Sequence, residues 1–305
     1  MAGVINTGSH PKLLWPGIRA TWGQMYDTHS PEYSDLYDVL SSNRAYEQDV
    51  QITGFGLAPV KGQGAGVAYD SEMQGWITTY AHIAYGLGYI VTFEELQDNM
   101  YKDVSTRRAK ANAFSMNQTV ENVAAFLYNN AFSTTYYATP DGKALIASDH
   151  VNPSGGTFSN ALTPGADLSE AALEDICIQI MNATQDRGLR IAVMPQSLHI
   201  ASSEFFNANR ILKSVLQAGT GNNAINVLKA TNAFPKGIML NHYFTNPNAW
   251  FVRTNIPNGM QFFWRNRPSF DQDNDFDTKN AKAASYMRFS VGCTDPRGIY
   301  GSNPP

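Results

Sequence analysis

The stretch FDQDNDFDT, residues 270–278, sets carboxylates at every second position: Asp271, Asp273, Asp275 and Asp277. Alternating carboxylates are the donors a calcium loop uses. Such a loop needs glycine at its sixth position and glutamate at its twelfth, between two helices. Counted from Asp271, those positions hold Phe276 and Lys282, and no helical pattern flanks them. The spacing does not make an EF-hand. It reads as an exposed acidic connection between strands, with a weak surface cation site as the alternative.

Other chemistry fares no better. His10, His29, His82, His150, His199 and His242 are scattered, and none pairs with another His or Cys at zinc-ligand spacing. Asp149 and His150 are adjacent but sit in a turn with no nucleophile signature. Gly54, Gly56, Gly62, Gly64 and Gly66 fall in GFGLAPVKGQGAG, which contains neither GxGxxG nor GxxxxGK[ST]. That stretch precedes a strand pattern instead of opening a helix, where a phosphate would bind. GLGYIV at 86–91 reads the same way. No GxSxG, HExxH or CxxC occurs, so no common enzyme class is indicated and no cofactor is expected.

Composition limits the remaining classes. The chain has 305 residues, 43% of them hydrophobic, enough for a sizeable core. Only 16% are charged against 12% aromatic, a balance that suits surface hidden against partners as well as a weakly charged globular protein. The net charge of -4, with no basic tail, gives no support to charge-driven nucleic-acid binding. Cys177 and Cys293 read as two reduced thiols. The first residues lack an apolar stretch of signal-peptide length, and no run approaches the ~18 apolar residues of a membrane span.

The elements that would position these residues follow from patterning. Residues 1–45 read as an extended arm broken by Pro11, Pro16 and Pro31 and studded with Trp15, Trp22, Tyr26, Tyr33 and Tyr37. Ser30 and Pro31 predict the start of a short helix there. Residues 46–91 read as a long two-stranded excursion with a glycine-rich tip, which needs a neighbour to lie on. Thr92 and Glu95 form a capping-box signature. Beyond them no Pro or Gly interrupts residues up to 132, predicting a helix of roughly 55 Å. Phe93, Leu96, Met100, Val104, Phe114, Val120, Val123 and Leu127 are its candidate core positions. A turn-rich segment with Asp141-Gly142 and Gly155-Gly156 follows. Next is a helix capped by Ser169, stapled by Leu168 and Leu173 and ended by Gly188. A strand LRIAVMP and a helix SSEFFNANRILKSVL come after it. GIMLNHYF, AWFVRT, GMQFFWRNRPSF and AASYMRFSVGCTDP are the last strands.

That order, with ATPDGKALIASDHVNPSGGTFSN, NRILKSVLQAGTGNNAINVLK and FFWRNRPSFDQDNDFDTKNAKAASYMRFSVGCTDPRGIYGS, resembles the major capsid proteins of tailed bacteriophages. The similarity points to the Mu-like head-subunit branch of the Hong Kong 97-type fold. The resemblance implies an α+β chain. Its parts would be an N-terminal arm (1–45), an E-loop hairpin (46–91), a P-domain with spine helix (92–160), an A-domain (161–245) and C-terminal strands returning to the P-domain (246–305). It implies self-assembly through hexamers and pentamers into an icosahedral shell around double-stranded DNA, in a virion assembled in bacterial cytoplasm. A scaffolding protein, a portal and a cement protein would be partners; no membrane would be. Because the arm begins almost at Met1, the scaffold is expected to be a separate protein, or this to be a mature form.

Intersubunit contacts are then expected at Trp15, Trp22, Lys61, Tyr69, Arg107 and Arg108, and at Asp271, Asp273, Asp275 and Asp277. The carboxylates would face water or cations of another subunit, with Lys102, Arg107, Arg108 and Lys110 as candidates. Lys61 stands where some family members form isopeptide cross-links, but no motif marks a partner Asn or catalytic Glu, so none is expected. The alternatives are an encapsulin-like shell sharing the fold, a cytosolic enzyme with an unfamiliar site, and a minor virion component such as a decoration protein.

Overall fold

The structure, a computed structural model, describes residues 15–98, 101–217 and 224–304; the side chains of 15, 16, 96–98 and 101–105 lie outside that description. Elements are numbered in chain order. The first core is built on α4 (Tyr101–Asn129). Ala109, Ala113, Met116, Val120, Ala124, Leu127 and Tyr128 recur every three or four residues and are buried. That is the stripe a helix needs to lie on a sheet. Three alanines in it let neighbouring backbones approach closely. The predicted face is therefore partly wrong: Phe114 is 43% exposed, and Met116 takes the buried place.

The sheet beneath α4 has the order β1-β10-β11-β4. Its strands are β1 (Asp38–Ser41), β4 (Ile83–Val91), β10 (Met260–Asn274) and β11 (Ala281–Cys293). β11 pairs antiparallel with both β10 and β4, while β1 runs parallel to β10. Pro268 is tolerated in β10 because the register shifts between Asn266 and Ser269. β10 reaches Asn274, so Asp271 and Asp273 belong to the strand and only the residues after Asn274 form the turn.

Within the expected extended arm, residues 15–27 and 33–36 instead form helices seated on α4. α1 (Trp15–Asp27) packs against it, burying Ile18 and Trp22, with Met25 and Tyr26 beside them. Trp22 stacks between Tyr26 and Phe270 at 5.3 and 5.6 Å, and its Nε1–H donates to Asn112 Oδ1 at 2.9 Å. Asn112 also donates to the Leu87 carbonyl and accepts from Ser285, tying helix to sheet. α2 (Tyr33–Leu36) starts later than predicted and carries no side-chain cap.

The predicted continuous strut is described as α3 (Phe93–Asp98) and α4, with residues 99–100 between them outside the description. The capping residue holds its place, since the Glu95 N–H donates to Thr92 Oγ1 at 3.3 Å. The predicted hairpin 46–91 is divided. β2 (Tyr46–Ile52) and β3 (Gln74–Ala81) pair with each other, whereas β4 joins the four-stranded sheet. His82 marks the break, bonded to Ser290 and Ser42 hydroxyls.

A small hairpin, β5 (His150–Val151) with β6 (Thr157–Phe158), leads to the second core. There α5 (Glu170–Met181) and α6 (Phe205–Lys213) pack on a sheet of order β12-β9-β7-β8. Its strands are β7 (Pro195–Ile200), β8 (Gly237–Leu240), β9 (Trp250–Thr254) and β12 (Ile299–Ser302); a short α7 (Val227–Ala230) precedes β8. Ser169 caps α5 as predicted, accepting the Ala172 N–H at 3.2 Å. The helix ends at Met181, not at Gly188, which occupies a later turn at φ +79°. The strand expected over LRIAVMP lies further on, at β7. β9 and β12 pair into the sheet of β7 and β8, so the strands after residue 246 divide between the two sheets.

Candidate functional site

Among the elements outside the two cores, β2 and β3 carry the longest loop. β2 and β3 form a ribbon whose inner face is sealed: Tyr80 is buried, packs on Phe263 at 4.9 Å and bonds the Thr294 hydroxyl at 2.6 Å. Val50 and Ile77, paired across the ribbon, remain exposed on its other side. The loop beyond carries Leu57, Val60, Val67 and Tyr69 in solvent, Val60 and Tyr69 almost completely (100% and 97%). Lys61 is exposed beside them. Apolar side chains grouped on a protruding element mark an interaction surface.

This loop is held at two levels. At its base the Trp76 Nε1–H donates to the Val151 carbonyl at 3.2 Å. Further out, Arg187 Nη1 donates to both carboxylate oxygens of Asp70, at 2.7 and 2.9 Å, and Gln185 donates to the Phe55 carbonyl at 3.4 Å. The Gly56 N–H, the Arg187 guanidinium and the Ser71 N–H together pull the Asp70 carboxyl down to about 2. Neither Arg187 nor Gln185 was singled out from sequence. They lie more than a hundred residues from the loop they hold, and no local signal connects them.

A second apolar surface is a groove of about 480 Å³ between α4 and the β4–β11 side of the sheet. Ile83, Tyr85, Val123, Phe126, Phe289 and Val291 line it, with Ile83 and Phe126 substantially exposed. β3 is eight residues long, so the ribbon carries its own loop roughly 25 Å from Ala81, where this groove begins.

The residues expected at contacts fall into separate places. Trp22 is corrected: with 5% of its surface exposed and its indole N–H satisfied internally, it is a core residue of its own chain. The Trp15 side chain lies outside the described residues, as does that of Lys102. Arg108 pairs with Glu95 of the same chain at 2.7 Å, whereas Arg107 and Lys110 are exposed. Asp275 is corrected too. Its partner is Lys282 on the adjoining strand, at 2.6 Å, and that contact first, with the Asp277 N–H second, lowers its pKa. Asp271, Asp273 and Asp277 remain exposed, and Phe276 between them is 95% exposed. Among the described residues no group of three or more His, Cys, Asp or Glu could hold a metal ion.

Buried polar groups are structural in setting. His150 bonds Asp141 at 2.8 Å, not its neighbour Asp149, which faces Lys143. Ser197 and His199 lie 2.8 Å apart, but both are buried, and burial pushes the His199 imidazole down to about 3. That pair has no opening to a substrate. Glu121, on α4, is buried with only one oxygen bonded, and burial pushes its carboxyl up to about 7.

A family model described as phage capsid protein matches residues 76–302, about three quarters of the chain. The fold is similar to the capsid of an empty GTA particle, with a TM-score of 0.57 at 11% identity, covering 100% of this chain and 93% of that one. It is similar to the capsid of Myoviridae phage XM1, with a TM-score of 0.53 at 11% identity over 88% of this chain and 90% of that one. A virus-like particle from Pyrococcus furiosus aligns with a TM-score of 0.51 at 11% identity, covering 95% and 99% of the two chains. No curated protein matches by sequence. Identity this low speaks for the fold alone, and the family match carries the assignment. Among the described residues no helix is long and apolar enough to cross a membrane. The chain shares the Hong Kong 97-type fold of these capsids, and it belongs to the phage capsid protein family, as a structural subunit of the shell.

Proposed function

We propose that the chain closes its shell through pentameric and hexameric rings around double-stranded DNA, using the β2–β3 hairpin as the clasp laid on the next copy. The observation that carries this is the exposure of Leu57, Val60, Val67 and Tyr69 on a loop that neither core covers. In ring contacts the same patch pair repeats until the ring closes. Standard specific interfaces bury about 1,600 Å², and an apolar hairpin of this length supplies a useful share. The first core would correspond to the P-domain and the second to the A-domain; α1 would belong to the N-terminal arm. Kinship with the Mu-like branch rests on the three stretches quoted from the sequence.

Assembly would take place in the host cytoplasm with a scaffolding protein, a portal and, where one is encoded, a cement protein. No catalytic residue, cofactor or cross-link is part of this reading. The excess of four negative charges suits a wall that encloses DNA without gripping it. An encapsulin-like shell would share the fold, and the family match favours the phage reading. The test is to express the chain, alone and with a scaffolding partner, and image it by negative stain. Closed shells or five- and six-membered rings are expected; a monodisperse monomer or dimer under both conditions would sink the proposal.

A further inference from the structure

We propose that Arg187 is a positioning residue for assembly: it sets the angle at which the hairpin leaves its own subunit. The proposal rests on the reading that the hairpin clasps a neighbour.

Both limbs of the loop meet one short turn of the second core. The guanidinium of Arg187 takes both oxygens of Asp70 and donates to the Ser71 carbonyl on the returning limb. Asp70 in turn accepts the Gly56 N–H of the outgoing limb at 2.8 Å. The Arg187–Asp70 pair therefore joins three backbones: outgoing limb, returning limb and turn. Nη1 spans both carboxylate oxygens while Nη2 takes the Ser71 carbonyl, so the planar guanidinium fixes direction as well as distance, which a single flexible ammonium would not.

The turn itself is stiff. The Gly188 N–H closes it on the Gln185 carbonyl at 2.9 Å, at a φ of +79° that favours glycine. From behind, the Ser154 hydroxyl donates to the Asp186 carbonyl at 2.7 Å, and buried Arg297 donates to the Thr184 carbonyl at 2.8 Å. Arg187 thus reaches from a braced platform to a loop that, beyond the Thr53–Met73 pair, is otherwise tied to that platform by the longer Gln185 contact to the Phe55 carbonyl at 3.4 Å. A loop of exposed apolar residues gains affinity when it is held in its docking pose before contact. Arg187 supplies that hold without occupying the docking surface.

The test uses spin labels at Val60→Cys and Ala171→Cys, with the native Cys177 and Cys293 buried, in unassembled subunits. The parent should give one narrow distance distribution. Arg187→Ala should broaden and shift it, Arg187→Lys should fall between, and added salt should move the parent toward the alanine variant because exposed ion pairs are screened. In parallel, Arg187→Ala subunits should assemble into heterogeneous or unclosed shells, with partial recovery in Arg187→Lys. An unchanged distance in Arg187→Ala overturns the proposal. So does a broadened distance with shells of parental size and closure, because the hold would then not matter to assembly. If the parent itself forms no shell, the assembly reading fails, and with it any assembly role for Arg187; the distances then show only whether the Arg187–Asp70 pair holds the loop.

Discussion

Glu121 offers the most decisive test of how the arm is seated. It projects from α4 with 2% of its surface exposed and accepts the Glu32 N–H at 3.0 Å just ahead of α2. Burial raises its carboxyl from the ordinary 4.5 to about 7; Glu32 and Asp35 add repulsion, while the Glu32 and Tyr33 N–H groups pull the other way. Between those pH values the folded chain keeps a proton that the unfolded chain releases. Stability therefore falls as pH rises from about 4.5 to about 7, and the loss is complete above that. At ~1.4 kcal/mol per pH unit the interval corresponds to ~3 kcal/mol. Glu121→Gln keeps the acceptor for the Glu32 N–H and removes the titration. In a thermal melt of unassembled subunits, the variant should match the parent near pH 4.5. By pH 8 it should exceed the parent by about 5 °C, taking the usual unfolding entropy per residue. Curves that stay parallel from pH 4.5 to 8 would show that Glu121 is ionised in the folded chain and that the argument from burial is wrong.

Other perturbations separate core from surface. Trp22→Ala should cost about 3–5 kcal/mol in subunit unfolding and take from Asn112 Oδ1 one of its two donors; a defect confined to assembly would contradict its burial. Val60→Asp and Tyr69→Ser should leave subunit unfolding within about 0.5 kcal/mol of the parent yet abolish closed shells in negative-stain images. Asp271→Asn, Asp273→Asn and Asp277→Asn together should alter the salt response of assembled shells. Asp275→Asn alone should not, because its lysine is in the same chain; equal effects from both would refute the division. Gly292→Ala would set a Cβ 2.7 Å from the buried Tyr80 ring and should destabilise the subunit by about 1–3 kcal/mol in denaturant titration.

Local signals in the sequence led to correct structure where the physics was local. Thr92 and Ser169 cap helices because the side-chain oxygen and the N–H it accepts are three residues apart. The β10–β11 pair was legible because its alternation runs long and its partner strand follows directly. α1 was not legible: prolines at 11, 16 and 31 hid the helical spacing of Ile18, Trp22 and Tyr26, although proline is at home in a helix's first turn. The buried face of α4 was misread because its alanines carry little hydrophobic signal, yet small side chains are what let two backbones close on it. Assigning 83–91 to the hairpin failed for a different reason. Strand patterning shows that β4 is a strand but not which strand it pairs with, and its partner lies almost two hundred residues away.

The same distinction explains where function is kept. The fully buried apolar residues of the cores are packed within the chain, so apart from the groove edge at Tyr85, Val123 and Val291, assembly cannot draw on them without unfolding the subunit. The hairpin is the reverse case. A two-stranded ribbon is marginal in water, and this one buries only the face that includes Thr78 and Tyr80. Trp76 and Arg187 give it direction, but neither covers Val50, Ile77 or the loop apolars. Left alone, those residues invite nonspecific association; held at a fixed angle, they can meet only a partner presented at the matching angle. A closed ring supplies that partner repeatedly, once per copy. The weak net charge fits this logic, since long-range repulsion between copies is small and the geometry of the hairpin is left to decide which encounters persist.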